Sequence, residues 1–150
     1  MRVALVTGIT GQDGSYLRER LLSEGVQVHG FVHHAEQQEA IDRAAANGVV
    51  LHRGDLADSA GIAELVRKVA PDEIYHLAGI SSVAQSWHEP VLTGTVTGLA
   101  TAALLESAWQ LQEQSGREIR FVLASSAEIF GAAPESPQNE ATPIRPVNPY

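Results

Sequence analysis

Two groups of residues in this chain have the types and spacing to do chemistry. The first is Gly8-Ile9-Thr10-Gly11-Gln12-Asp13-Gly14, a G-x-x-G-x-x-G set between a short apolar run and a helical one. Glycines at those three positions permit a tight turn, a close backbone approach to a pyrophosphate and close packing of helix on strand. The helix start then offers unpaired N–H groups and a partial positive charge to the phosphates. Three glycines in register, directly after a buried strand, point to dinucleotide binding. The second group is Ser126 and Glu128. On an extended segment, residues i and i+2 project to the same side, so hydroxyl and carboxylate would face one substrate while Ala127 points away. The carboxyl end of a strand is where open α/β sheets bind ligands, and a carboxylate there can serve as a base.

Alternating strands and helices must position both groups. Val3–Val6 reads as a central parallel strand, buried on both faces. A helix over about Ser15–Glu24 follows the glycines, with Leu17, Leu21 and Leu22 inward and Gly25 closing it. Val26–Val32 is the second strand, ending at His33-His34, and Glu36–Asn47 has helical composition. Val49–His52 is the third strand, leading to Gly54-Asp55. Asp58 or Ser59 caps the next helix, where Ile62, Leu65, Val66 and Val69 form an i, i+3, i+4, i+7 stripe that Pro71 stops. Glu73–Leu77 is strand four, Pro90–Gln114 a long helix rich in Ala, Gly and Thr, and Arg120–Ala124 strand five. Ser125, Ser126 and Glu128 stand at its tip, and a Pro-rich stretch runs from Pro134 to Tyr150. The order predicts an α/β fold: a doubly wound parallel sheet of Rossmann type with right-handed crossovers.

Composition narrows the function classes. A chain of 150 residues suits one domain, and 44% hydrophobic with 19% charged residues is the range of a globular protein. With 18 acids against 10 bases there is no basic face to neutralise a nucleic acid, whereas a nucleotide needs only a few donors. No cysteine is present, so disulfides and thiolate metal sites are excluded. His29 and His33 are four apart in a predicted strand, where they do not converge as helical i, i+4 ligands do, and no metal is expected. No stretch approaches the roughly 20 apolar residues of a membrane span, and the N-terminus reads as a buried strand instead of a signal peptide. No membrane partner and a cytoplasmic address are the expectations.

The stretch Gly8-Ile9-Thr10-Gly11-Gln12-Asp13-Gly14-Ser15-Tyr16-Leu17 resembles the fingerprint of GDP-mannose 4,6-dehydratases, within the extended short-chain dehydrogenases. The likeness continues along the chain. Gly54-Asp55-Leu56 resembles the family's adenine-side motif, with Asp55 reaching the adenine. Tyr75-His76-Leu77-Ala78-Gly79 is similar to the end of strand four that lies along the cofactor, and Ser126-Ala127-Glu128-Ile129-Phe130-Gly131 to the catalytic segment after strand five. Pro146-Val147-Asn148-Pro149-Tyr150 resembles the approach to a Y-x-x-x-K motif. The resemblance implies that Tyr150 takes the 4-hydroxyl proton, Glu128 removes the C5 proton and Ser126 holds the 4-oxygen of a nucleotide sugar. It implies a cofactor held by Gly8, Thr10, Gly11, Gln12, Asp13, Gly14, His33, His34, Asp55, Leu56, Leu77, Ala78, Gly79 and Tyr150, and a sugar met by Ser81, Ser82, Ser126 and Glu128.

Several positions depart from the family. Gly79-Ile80-Ser81-Ser82-Val83 stands where the dehydratases read A-Q-S-H-V, Thr97 where relatives carry Asn or Asp, and His33-His34 where they carry Arg-Arg. Trp87 and His88 read as packing residues. Residues 1–150 are expected to be the dinucleotide-binding domain of a longer enzyme, a homodimer or homotetramer at full length, cut before the motif's Lys and the sugar-nucleotide domain. The choice of NADP over NAD follows from the end of strand two: an acid there grips a ribose 2'-hydroxyl, and here no acid precedes Glu36. The rival readings are a 4-keto-sugar reductase or epimerase of the same family, and a non-catalytic dinucleotide-binding module.

Overall fold

The predicted apolar runs pair into one parallel sheet. In the computed structural model, which describes residues 1–150, the strands are β1 (Val3–Thr7), β2 (Gln27–His33), β3 (Val50–Gly54), β4 (Glu73–His76) and β5 (Arg120–Leu123), in the order β3-β2-β1-β4-β5. Helices α1 (Gln12–Ser23) and α2 (Gln38–Ala45) cover one face, where Leu21 and Ile41 pack with Ala4, Val6, Val28 and Val32. Helices α3 (Ser59–Val69) and α6 (Ala100–Ser115) cover the other, where Ile62, Val66, Leu104 and Ala108 pack with Leu5 and Ile74. Successive residues of β1 thus feed opposite cores, which is why the strand is apolar without alternation. The strand order reverses between β1 and β4, and that switch point opens the crevice where such sheets bind ligands.

Helix ends follow the side chains at hand. Asp58 caps α3 by accepting from the Gly61 N–H, and Gly25, at φ 73°, closes α1 while the Gly25 and Val26 N–H groups bond back to Leu22 and Leu21. α1 starts at Gln12, earlier than the sequence suggests, because extended Gly11 is its N-cap and Gly14 lies in its first turn. A helix the sequence reading passed over, α4 (Val83–His88), is capped by the Ser82 hydroxyl, which accepts from the Gln85 N–H. Its signal was a Ser-x-x-Gln capping box.

The long helix is one element from Pro90 to Ser115, made of α5 (Pro90–Thr93), a π-helical turn (Gly94–Leu99) and α6. The Thr93, Thr95 and Thr101 hydroxyls donate to carbonyls four residues back, which widens such a helix. This element corrects the expectation that no stretch approaches a membrane span in length and apolarity. With 26 residues and an 18-residue window of mean hydropathy 1.3, it is long and apolar enough to cross a bilayer. Its apolar character is spread over Ala, Val and Leu among Thr and Gly, so no unbroken run announces it. Ala100, Leu104 and Ala108 are nonetheless committed to the core shared with α3.

Candidate functional site

The glycine loop bridges β1 to α1. Gly8 takes φ 72°, and a Cβ there would stand 3.0 Å from the Ala78 nitrogen and 3.1 Å from the Leu77 carbonyl carbon, so only glycine lets this loop meet the end of β4. The Gly11 N–H donates to the Gly8 carbonyl at 3.0 Å. The N–H groups of Gln12, Asp13 and Gly14 have no backbone acceptor, and no side chain caps them. This is the anion-accepting end of a helix.

Thr7 organises the facing loop. Its hydroxyl oxygen accepts from the N–H groups of Leu77 (3.2 Å) and Ala78 (3.1 Å), so its own proton goes to His76 Nδ1 at 2.7 Å. The Leu77 N–H also reaches the Thr7 carbonyl at 3.3 Å, and β4 ends at His76, one residue before the sequence predicts. From the other side, the Thr97 hydroxyl accepts from the Ile80 N–H at 3.4 Å, and the Thr97 side chain lies in contact range of any Cβ on Gly79. Thr97 therefore packs against the segment that borders the crevice.

His76 is 1% exposed, and burial pushes its imidazole down to about 4. The folded protein thus resists protonation there, while the unfolded chain binds a proton below about 6.5. Stability from this group is complete above pH ~6.5 and is lost as pH falls toward 4. Burial lowers His29 and His52 as well, with the same sign; their rings share one nitrogen-to-nitrogen hydrogen bond of 2.9 Å between β2 and β3. A drop of up to about 3 kcal/mol in unfolding free energy is expected over that window from His76. Urea titrations at both ends, in the full-length protein and in His76→Asn, measure it; an equal acid loss in the variant would remove His76 as the cause.

A cavity of about 190 Å³ opens between the loops, lined by Gly8, Thr10, Phe31, Val32, His33, Glu36, Leu56, Ala78, Gly79 and Val96. Six of the sequence-predicted cofactor residues meet here: Gly8, Thr10, His33, Leu56, Ala78 and Gly79. The cleft is apolar along Phe31, Val32, Leu56 and Val96, where a base would lie, and is bordered by Gly8 and Thr10 of the loop that leads into α1, so its residues fit a nicotinamide dinucleotide. Asp55 and His34 border a neighbouring cavity of about 450 Å³ instead. Asp55 accepts from the Ala57 N–H at 2.8 Å and stands 3.8 Å from His33 Nε2, so the backbone turn holds one of its oxygens. Glu36 is the residue the sequence reading set aside: its carboxylate lines the first cavity and accepts from the Thr10 hydroxyl at 3.0 Å.

Ser126 and Tyr150 line a separate cavity of about 260 Å³ with Thr97, Gly98, Thr101, Leu123, Ala124, Ser125 and Ile129. The expected extended arrangement of Ser126 and Glu128 is corrected here. Ala127–Phe130 is a 3₁₀ turn, and the Ser126 hydroxyl caps it by accepting from the Glu128 N–H at 3.1 Å. The turn breaks strand alternation, and Glu128 does not line this cavity with Ser126 and Tyr150. Asn148 Nδ2 then donates to Glu128 Oε2 at 2.7 Å, tying the carboxylate to the segment that carries Tyr150. Ser81 and Ser82 lie outside both cavities, and Ser82 is engaged as the α4 cap.

A parallel sheet with a switch point, a glycine loop on a helix start and a fitted cleft define a Rossmann-type NAD(P)-binding domain of the short-chain dehydrogenase kind. A family model for GDP-mannose 4,6 dehydratase matches residues 5–150, and the chain belongs to that family. It is 43% identical over 148 residues to a GDP-mannose 4,6-dehydratase of Sordaria araneosa, covering 98% of this chain and 27% of that protein. Against the GDP-mannose 4,6-dehydratase of Vibrio cholerae it is 40% identical over 158 residues, covering 98% and 41%. The chain thus spans well under half the length of these relatives. Among solved structures, the UDP-glucose 4-epimerase of Thermus thermophilus in complex with NAD is 32% identical with a TM-score of 0.80, over 99% of this chain and 46% of that one. The UDP-Glc/GlcNAc 4-epimerase of Campylobacter jejuni has a TM-score of 0.86 at 24% identity, over 100% and 45%, and shares the fold.

Proposed function

We propose that the full-length protein carries out the NAD(P)-dependent 4,6-dehydration of a nucleotide sugar, converting GDP-mannose to GDP-4-keto-6-deoxymannose. The observation that supports it best is Glu128, whose N–H is bound by the Ser126 hydroxyl and whose carboxylate is tied by Asn148 to the segment leading to Tyr150, within a chain of the dehydratase family. An epimerisation at C4 needs no base for C5; a dehydration does. In this reading Tyr150 takes the 4-hydroxyl proton while Ser126 holds the 4-oxygen. The resulting ketone acidifies C5, Glu128 removes that proton, and water leaves from C6. When bound, the nicotinamide supplies the hydride exchange that oxidises C4 and later reduces C6, so turnover brings no net redox change. Residues 1–150 are the cofactor half in this reading, and the sugar-nucleotide domain follows. The sequence expectation of NADP rests on the lack of an acid at the end of strand two, where His33 and His34 stand, and the placement of Glu36 bears on it directly.

Assembly as a homodimer or homotetramer is part of the same proposal. Leu105 and Trp109, one turn apart on the long helix, leave an exposed apolar patch, 46% and 60% exposed, which a second copy would cover.

Incubation of the full-length protein with GDP-mannose and catalytic NAD or NADP, followed by mass spectrometry and proton NMR, tests the activity. The expected product has lost one water and gained a methyl group at C6. An isomer of unchanged mass would support the epimerase, stoichiometric consumption of reduced cofactor by a keto sugar would support the reductase, and cofactor binding without turnover would support the non-catalytic module.

A further inference from the structure

We propose that Glu36 sets the cofactor preference of this protein, favouring NAD by accepting from an adenosine ribose hydroxyl and opposing the 2'-phosphate of NADP. The inference rests on the dinucleotide-binding part of the reading above. Position along the chain hides the residue. It lies three places past the end of β2, beyond where an acid is usually sought. The turn at 33–36, closed by the Glu36 N–H donating to the His33 carbonyl at 3.0 Å, brings it back over the cleft.

The carboxylate is fixed there. Oε2 accepts from the Thr10 hydroxyl at 3.0 Å, which joins Glu36 to the loop that faces the pyrophosphate. Oε1 accepts from the Gln37 N–H at 3.3 Å. A carboxylate offers about four acceptor sites, so roughly two remain for a diol.

The histidines do not offset this charge. His33 lines the same cavity, but its Nδ1 accepts from the Ala35 N–H at 3.2 Å and its Nε2 lies 3.8 Å from Asp55, a carboxylate that any imidazolium charge would meet first. His34 borders the neighbouring cavity, as does Arg53, whose guanidinium donates to the His34 carbonyl and to Gln38. The glycine-loop cavity is lined by one carboxylate and by no lysine or arginine. A 2'-phosphate carrying more than one negative charge would meet an acceptor-only group there, a like-charge contact without a donor.

The test is calorimetric titration of NAD and NADP into the full-length protein and into Glu36→Gln, with 5'-ADP and 2',5'-ADP as fragments lacking the nicotinamide. NAD is expected to bind about tenfold or more tighter than NADP, because unmatched like charges disfavour the wrong partner. In Glu36→Gln the ratio should fall toward one, with NADP gaining and NAD losing affinity, and the two ADP fragments should follow the same order. Tighter NADP in the wild type, or an unchanged ratio in the variant, would overturn the role of Glu36 while leaving dinucleotide binding and dehydration standing. Binding of neither dinucleotide by the folded protein would overturn both this inference and the reading beneath it.

Discussion

Replacing Glu128 by glutamine in the full-length protein should cut formation of the 4-keto-6-deoxy product by roughly 10²–10⁴-fold, the usual loss when a general base is removed. The change is conservative in shape. Asn148 now donates to Glu128 Oε2, and a glutamine carbonyl can accept the same bond. Asn148 Oδ1 is buried without a partner, so the new amide N–H₂ also has an acceptor within the pair's reach. The capped 3₁₀ turn depends on the Glu128 N–H and the Ser126 hydroxyl, neither of which changes. Binding of GDP-mannose should therefore persist, and oxidation at C4 should still appear as a transient rise in nicotinamide absorbance. Removal of the C5 proton is what fails. In deuterated water the wild type should place deuterium at C5, and the variant should not. Wild-type dehydration by Glu128→Gln, or unaltered C5 exchange, would end the assignment of Glu128 as the base.

That site shows what the sequence could and could not disclose. Ser126 and Glu128 were legible as a pair because a hydroxyl and a carboxylate two residues apart follow the fifth apolar run. Their geometry was not legible, because the Ser126 hydroxyl can cap a turn as readily as it can sit on a strand, and the backbone chose the cap. The sheet itself was readable from apolar runs of four to seven residues, and all five strands fell within two residues of their expected ends. Thr7 and His76 escaped for a different reason. Each is a polar residue at the end of its strand, and their mutual bond runs between β1 and β4, some 69 positions apart in sequence. No local pattern encodes such a contact. Glu36 was visible as an acid, but its role depends on a turn that folds it onto Thr10, and spacing along the chain made it look too distant.

The glycine loop carries the second large effect, and its glycines should fail in different ways. Gly11 sits at φ −72° and ψ 175°, ordinary extended backbone, and a Cβ there would approach only the Gly8 carbonyl oxygen, at 3.2 Å. Valine therefore fits the chain path once the Gly8 carbonyl gives by a few tenths of an ångström, at a stability cost near ~1 kcal/mol for a poor N-cap. Its methyl groups would fill the space before the unpaired N–H groups of Gln12, Asp13 and Gly14, where a pyrophosphate must come. Gly14 is the opposite case. A Cβ on it would penetrate the Gly8 carbonyl and stand 2.7 Å from the Ile9 Cα, both rigid backbone. Gly14→Ala should thus destabilise the fold by about 1–3 kcal/mol through overpacking, and lose cofactor affinity only as a consequence. Gly11→Val should keep nearly all its stability and lose about 100-fold or more in affinity for either dinucleotide, some 2.7 kcal/mol. Thermal unfolding and calorimetric titration of both variants, side by side, separate the two roles. A folded Gly11→Val with unchanged affinity would remove the phosphate cradle from this loop, and an unaltered melting temperature in Gly14→Ala would show that the helix can move away from Gly8.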